Sequence, residues 1–382
     1  MQGFRFEDVT LPPGVERLRA EVRDFLAGEQ KAGSFEPLKN SWSSFDPDFS
    51  RKCGEHGYIG MTWPKQYGGH ERSELERYVV VEELLAGGAP VGAHWIADRQ
   101  SGPQILRHGD PAMRAKILPE IAAGRCYFGI GMSEPDSGSD LASVKTRAEK
   151  DGDGWRINGS KIWTSNAHRA HYLIALVRTE TAAQDRHAGL TQFLIDMSQP
   201  GVQVRPIHNL YGGHDFNQVF FDDYYVPDAA MIGAQGQGWK TVTGELALER
   251  SGPDRYLSDY QLLVQLIREI GRDSDSRGEI ALGRLVSHLA SLRRMSLSIA
   301  GMLERGQSPE LEAALVKDIG TGFEQDIPEV ARLLAGTEPD PDSPSPYQSA
   351  LARVVLAAPS FTLRGGTREI LRGIIARGLN LR

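Results

Sequence analysis

Tyr127-Phe128-Gly129-Ile130-Gly131-Met132-Ser133-Glu134-Pro135-Asp136-Ser137-Gly138-Ser139-Asp140 marks the place where the chain changes period. Upstream, apolar residues recur at helical spacing: Val15, Leu18, Val22, Phe25 and Leu26, then Leu75, Tyr78, Val79, Leu84 and Leu85. Trp63-Pro64-Lys65-Gln66-Tyr67-Gly68-Gly69 reads as a loop, and Gly109-Asp110-Pro111 ends one helix and opens another. Downstream the runs shorten and take strand composition: Val144 to Ala148, Trp155 to Ile157, Tyr172 to Val177, Gln192 to Ile195, Val202 to Val204 and Gln218 to Phe221. Asp151-Gly152-Asp153-Gly154 begins like a calcium loop but lacks the later ligands, so a hairpin turn is expected. After Gly236-Gln237-Gly238-Trp239 the helical period returns, with stripes at Leu262, Leu263, Leu266, Ile267 and Ile270 and from Leu285 to Leu303. The Pro-rich spacer Glu338 to Pro346 predicts an exposed, extended loop. The order is helical, β, helical, without an internal repeat of 20 to 50 residues.

A chain of 382 residues with 40% hydrophobic and 24% charged residues is too long for one ordinary domain and too ordinary for a disordered one. A net charge of −7 disfavours a globally basic nucleic-acid binder. Cys53 and Cys126 are the only cysteines, which removes a disulfide framework and a thiolate metal site and fits a reducing cytoplasm. No segment approaches the roughly 18 to 20 apolar residues of a membrane span, and the N-terminus has no apolar signal core.

Three features carry residues suited to chemistry. In the loop Ser133 to Asp140, small residues and hydroxyls at a strand end let backbone N–H groups approach a flat or anionic ligand; taken alone it is equally a plain loop. In Lys161-Ile162-Trp163-Thr164-Ser165-Asn166 an indole suited to walling a ring system precedes polar residues, although a core Trp at a strand end has the same pattern. In the tail, Arg364-Gly365-Gly366-Thr367-Arg368-Glu369 opens a helix whose N-terminus suits an anion. Five Arg fall between 364 and 382; a solvated helix face or a subunit contact explains them as well.

Taken in order, these elements resemble the acyl-CoA dehydrogenase family over essentially the whole chain. The likeness rests on Trp63-Pro64 through Gly68-Gly69, the helix before Ala122-Ala123-Gly124, the loop Ser133 to Asp140, Trp155 to Lys161 with Trp163, Val219 to Asp223 with Val226-Pro227, Gln237-Gly238-Trp239 and the Gly-Gly-Thr tail. It implies an α+β fold of an N-terminal helical domain (1–125), a middle β domain (126–238) and a C-terminal four-helix domain (239–382), with FAD bound between the last two. It also implies oxidation of an acyl-CoA thioester to its trans-2-enoyl form, a carboxylate taking the α proton and the flavin taking a hydride at N5. An electron-transferring flavoprotein or similar acceptor is implied as the oxidant. By position, Met132 and Ser133 match the residues that meet the flavin ring, Ser139 lies near the bound thioester arm, and Trp163 and Ser165 cover the flavin and bond its edge. Gly365, Gly366, Thr367 and Glu369 match the dinucleotide end, where many relatives carry Gln in place of the Glu.

The base is expected at Glu249. Many relatives carry it in the tail as Tyr-Glu-Gly-Thr, but here Arg364-Gly365-Gly366-Thr367 holds no carboxylate. A subset that includes isovaleryl-CoA dehydrogenase carries it on the first C-terminal helix, where this chain reads Ala247-Leu248-Glu249-Arg250; Arg250 is placed with the substrate. The small Gly365 leaves room for a branched or bulky acyl group. The family's Arg-x-x-Phe-Gly is replaced by Arg268-Glu269-Ile270-Gly271-Arg272, and its Gln-x-x-Gly-Gly-x-Gly by Ala357 to Phe361. Two assemblies follow: a homo-oligomer with altered FAD contacts, or an α2β2 hetero-oligomer with a related chain, which the two gaps favour. A non-catalytic or half-site subunit and a flavin oxidase or monooxygenase are the competing functions.

Overall fold

The computed structural model describes residues 3–38, 43–180, 185–210, 212–250, 252–271 and 275–381; the side chains of 245–249 lie outside that description. In chain order the helices are α1 (Val15–Lys31), α2 (Pro47–Glu55), α3 (Glu74–Ala86), α4 (Gly102–His108) and α5 (Pro111–Ala122). Strands β1 (Phe128–Gly131), β2 (Arg147–Asp151), β3 (Gly154–Ser165), β4 (Tyr172–Arg178), β5 (Leu190–Asp196), β6 (Val202–Ile207), β7 (Phe216–Pro227) and β8 (Met231–Ile232) follow. The chain ends in α6 (Gly238–Glu249), α7 (Tyr260–Ile270), α8 (Ser276–Glu304), α9 (Glu310–Ala335), α10 (Pro346–Ala357) and α11 (Arg368–Gly378). The Pro-rich spacer is a loop between α9 and α10. Helix starts follow local chemistry: Ser73 and Glu76 form a reciprocal capping box on α3, and Asp110 caps α5 ahead of Pro111.

These elements form two compact units, one of residues 1–44, 72–91 and 247–382, the other of 45–71 and 92–246. In the first, Arg19 of α1 is buried against Glu82, at 3.0 Å, and Glu83 of α3, while Arg293 of α8 donates to Glu82 at 2.6 Å. The Tyr78 and Tyr256 hydroxyls meet at 2.7 Å beside this network.

The second unit is built on an eight-stranded sheet ordered β6-β7-β3-β2-β4-β5-β8, with β1 pairing parallel to β4. Leu173, Ala175 and Val177 of β4 join one apolar cluster with Trp155, Ile157, Phe193 and Val219, whereas Leu176 joins another with Val144, Leu190 and Val242. A strand alternates its side chains, and β4 buries both faces. Asp151 pairs with Gly154, so Gly152-Asp153 is the hairpin turn. Several strand limits differ from the sequence reading, among them those of β2, β3, β6 and β7. β2 begins at Arg147 because Leu141–Ser143 forms a helical turn that runs into Val144, and β3 runs through to Ser165 because β7 pairs along its length.

His94 is fully buried here, its Nδ1 3.1 Å from Ser50 Oγ. Burial pulls its pKa down to about 4, against the opposing charge of Asp98. The unfolded chain therefore binds the extra proton between pH 6.5 and about 4, and the stability present above 6.5 is lost as pH falls through that window. Between pH 7 and pH 5 the native protein is expected to lose about 2 kcal/mol more than His94→Gln. Denaturant titrations at both pH values check this, and equal losses would remove His94 as the cause.

Candidate functional site

The β unit carries one set of the expected site residues. β3 has an extra residue between Lys161, which pairs with Val219, and Thr164, which pairs with Asn217. The bulge puts Trp163 in the left-handed region at φ 59° and turns its indole outward. Trp163 is 57% exposed, edge-on to Phe216 at 6.1 Å, while Thr164 beside it is fully buried. An aromatic face of this size, held on a strand and open to solvent, is suited to walling a flat ring system. Ser165 closes the strand opposite Phe216.

Met132 and Ser133 follow β1 and are tied to the bulge from two sides. The Ile162 N–H donates to the Ser133 carbonyl at 2.9 Å. The buried Lys161 ammonium donates to the Met132 carbonyl at 3.2 Å and to Glu134 Oε1 at 2.8 Å. Glu134 also accepts from the Lys145 and Thr146 amides at 2.6 and 2.9 Å. Burial pushes the Glu134 carboxyl up, but Lys161 and these donors outweigh it and hold the pKa below the ordinary value. Burial draws Lys161 down to about 8, with Glu134 opposing, so the pair is ionised at neutral pH. Beyond it the loop closes through paired Glu134 and Ser137 amides and through Ser137 Oγ on the Asp140 carbonyl at 2.6 Å. Ser139 is exposed on that loop.

The helical unit carries the other set. Gly365 and Gly366 sit at φ 67° and 97°, a region that side chains avoid. Arg250 Nε donates to the Gly365 carbonyl at 3.1 Å, and the buried Lys317 of α9 donates to the Gly366 carbonyl at 2.6 Å. Arg250, expected with the substrate, is thus joined to the tail turn. Arg364 reaches Glu324 at 2.6 Å; Arg368 and Arg372 reach Asp318 at 2.8 and 3.4 Å. Thr367 caps α11 in extended conformation but makes no side-chain bond to its amides. The Glu369 carboxylate takes that place: its own N–H, then the Thr367 hydroxyl, hold its pKa below the ordinary value. Glu249 is the last residue of α6, and its side chain lies outside the described residues. Part of the Arg268–Arg277 segment, residues 272–274, also lies outside them.

The sequence reading missed the Lys161–Glu134 pair and the two donors on the tail turn. Lys161 had a signal: it shares strand parity with Trp155 and Ile157, an inward position where a Lys needs a partner. Lys317 had none, because its acceptor is a backbone carbonyl far along the chain.

Family models described as acyl-CoA dehydrogenase N-terminal, middle and C-terminal domains match residues 13–125, 129–224 and 236–380. Acyl-CoA dehydrogenase IpdE1 of Mycobacterium tuberculosis is 33% identical over 375 residues, covering 95% of this chain and 96% of that protein. The chain belongs to the acyl-CoA dehydrogenase family. It is similar in structure to the Tcur3481–Tcur3483 steroid acyl-CoA dehydrogenase, with TM-score 0.85, 27% identity and coverage of 98% and 99% of the two chains. The ChsE4–ChsE5 complex of Mycobacterium tuberculosis follows with TM-score 0.83, 27% identity and 98% coverage of both. Acyl-CoA dehydrogenases are FAD-dependent oxidoreductases of lipid metabolism. Trp163, Met132 and Ser133 fit the ring end of that cofactor, since the bulge presents an exposed aromatic face tied to the Met132–Ser133 segment. The start of α11 fits a phosphate less well, because the Glu369 carboxylate stands there. No described helix is long and apolar enough to cross a membrane. Among the described residues no group of three or more His, Cys, Asp or Glu could hold a metal ion.

Proposed function

We propose that this acyl-CoA dehydrogenase oxidises the α,β carbon–carbon bond of a branched or ring-bearing acyl-CoA, with Glu249 removing the α proton. The observation that carries the proposal is the Gly365–Gly366 turn. Where many relatives place the base, this chain has two left-handed glycines held through their carbonyls by Arg250 and Lys317, and no carboxylate. An α proton beside a thioester is weakly acidic, so its base must be desolvated and the carbonyl polarised. Glu249 stands at the end of α6, and the next residue, Arg250, is only 7% exposed. FAD, held at its ring end by Trp163, Met132 and Ser133, would supply the hydride acceptor for the β carbon, with an electron-transferring flavoprotein or similar protein as the external oxidant. The steroid acyl-CoA dehydrogenase among the structural relatives supports a bulky acyl group.

The protein pairs, in this reading, with a related chain in an α2β2 assembly. The observation favouring it is the start of α11, where Glu369 occupies the anion position and Arg368 and Arg372 are engaged by Asp318. The half-site subunit without catalysis is the competing reading, and it predicts that no acyl-CoA reduces the assembly through this chain.

The test is anaerobic addition of straight, branched and ring-bearing acyl-CoAs to the yellow protein, purified alone and with its related chain. Branched or ring-bearing thioesters are expected to bleach the flavin at least about tenfold faster than straight ones, the order of discrimination that pocket shape provides. A clear preference for straight chains would overturn the substrate class.

A further inference from the structure

We propose that Lys161 is a positioning residue that fixes the Met132–Ser133 segment against the bulge presenting Trp163, so that the two flavin-facing surfaces keep one geometry. This rests on the reading of Trp163, Met132 and Ser133 as the ring end of the FAD site.

The geometry is specific to this lysine. Its side chain runs under β1 with no exposed surface: a Cβ built on Gly131 would lie 3.2 Å from Lys161 Cγ and 3.1 Å from Leu173. Gly131 is therefore the residue that lets the stem pass. The ammonium then divides between a carbonyl of the segment, Met132 O, and the carboxylate that ends it, Glu134. The next residue after Lys161 supplies the Ile162 N–H to Ser133 O. The first half of the bulge is thus bonded to Met132, Ser133 and Glu134 in succession. Glu134 is anchored in turn by the Lys145 and Thr146 amides, and the Thr146 hydroxyl donates to Ser160 O at 3.2 Å, which closes the ring of bonds.

Stability alone does not account for the arrangement. Taking an ammonium and a carboxylate out of water costs much of what their attraction returns, and well-packed apolar residues often serve a fold equally well. An apolar side chain cannot donate to the Met132 carbonyl. Losing that donor loosens the segment relative to Trp163, leaving the Ile162 N–H on Ser133 O as its direct tie to the bulge, and the fold can survive because Glu134 keeps its two amide donors.

The test compares Lys161→Met with Glu134→Gln in the FAD-loaded protein. Both are expected to lower the melting temperature, but Glu134→Gln keeps the nitrogen that donates to Met132. Two readouts are taken: hydrogen exchange of the Ile162 and Trp163 amides, and FAD release followed by the rise in flavin fluorescence. Lys161→Met is expected to speed both by about tenfold or more relative to Glu134→Gln, corresponding to loss of about one well-placed hydrogen bond. If the two variants change both readouts in proportion to their melting temperatures, Lys161 is structural only and the proposal is overturned. If the unaltered protein holds no FAD, the flavin reading fails, and the exchange comparison still decides whether Lys161 fixes the segment. If Lys161→Met does not fold, Lys161→Gln, with a shorter amide donor, takes its place in the same comparison.

Discussion

Glu249→Gln is expected to keep the bound flavin and its yellow colour while bleaching by acyl-CoA under anaerobic conditions slows by about 10³-fold. The amide has the shape of the carboxylate but cannot accept the α proton, so ligand binding persists and proton removal does not. The other carboxyls near the tail are poorly suited to the task. Glu369 is exposed and held as an anion by its own N–H and Thr367, which lowers its affinity for a proton. Glu324 is buried and bound to Arg364 at 2.6 Å. Asp259 is buried with its pKa raised, chiefly by burial and then by the Glu324 charge, and neither carboxyl oxygen has a hydrogen-bond partner. Glu245→Gln, one turn earlier on α6, is the control and is expected to bleach at the parent rate. Retained bleaching in Glu249→Gln, or its loss in the Glu245 control, would show that the base has been misassigned.

Element type was legible wherever periodicity ran long. The stripes from Leu262 to Ile270 and from Leu285 to Leu303 became α7 and α8, and Gly152-Asp153 became the hairpin turn. Trp163 was legible as a residue suited to a ring. Its outward pose was not, because a bulge is created by a mismatch with β7 across the sheet, and neither strand alone records it. The tail shows the opposite limit. Its arginines suggest a phosphate site when counted along the chain, yet Arg364, Arg368 and Arg372 meet Glu324 and Asp318 of α9, residues about forty to fifty positions away. Sequence shows which charges are present, whereas the fold decides which are already neutralised.

That neutralisation yields the second large effect. Glu324→Ala is expected to destabilise the protein by about 3 kcal/mol, because removing one partner of a mostly buried pair deprives the other of its best-placed counter-charge. Glu324 has no exposed surface and accepts from the Ser258 amide at 2.8 Å as well as from Arg364, whose side chain is 18% exposed. Asp259 complicates the loss in a testable way. Both its carboxyl oxygens are buried without a hydrogen-bond partner, and burial, then the Glu324 charge, disfavours its anion. Without Glu324 that repulsion disappears, and Arg364, which already favours the Asp259 anion, draws off the proton and gains a substitute partner. Asp259→Asn alone is therefore expected to cost little, since an amide replaces a carboxyl whose neutral form burial favours. In the Glu324→Ala background the same change removes the substitute, so the double variant should lose roughly 1 kcal/mol more than the two singles combined. Denaturant titration of the four proteins measures that coupling, and strict additivity would mean that Asp259 never takes over. Arg364 also immediately precedes the Gly365–Gly366 turn, so the singly altered Glu324 protein should discriminate less between bulky and straight acyl groups even where it remains folded.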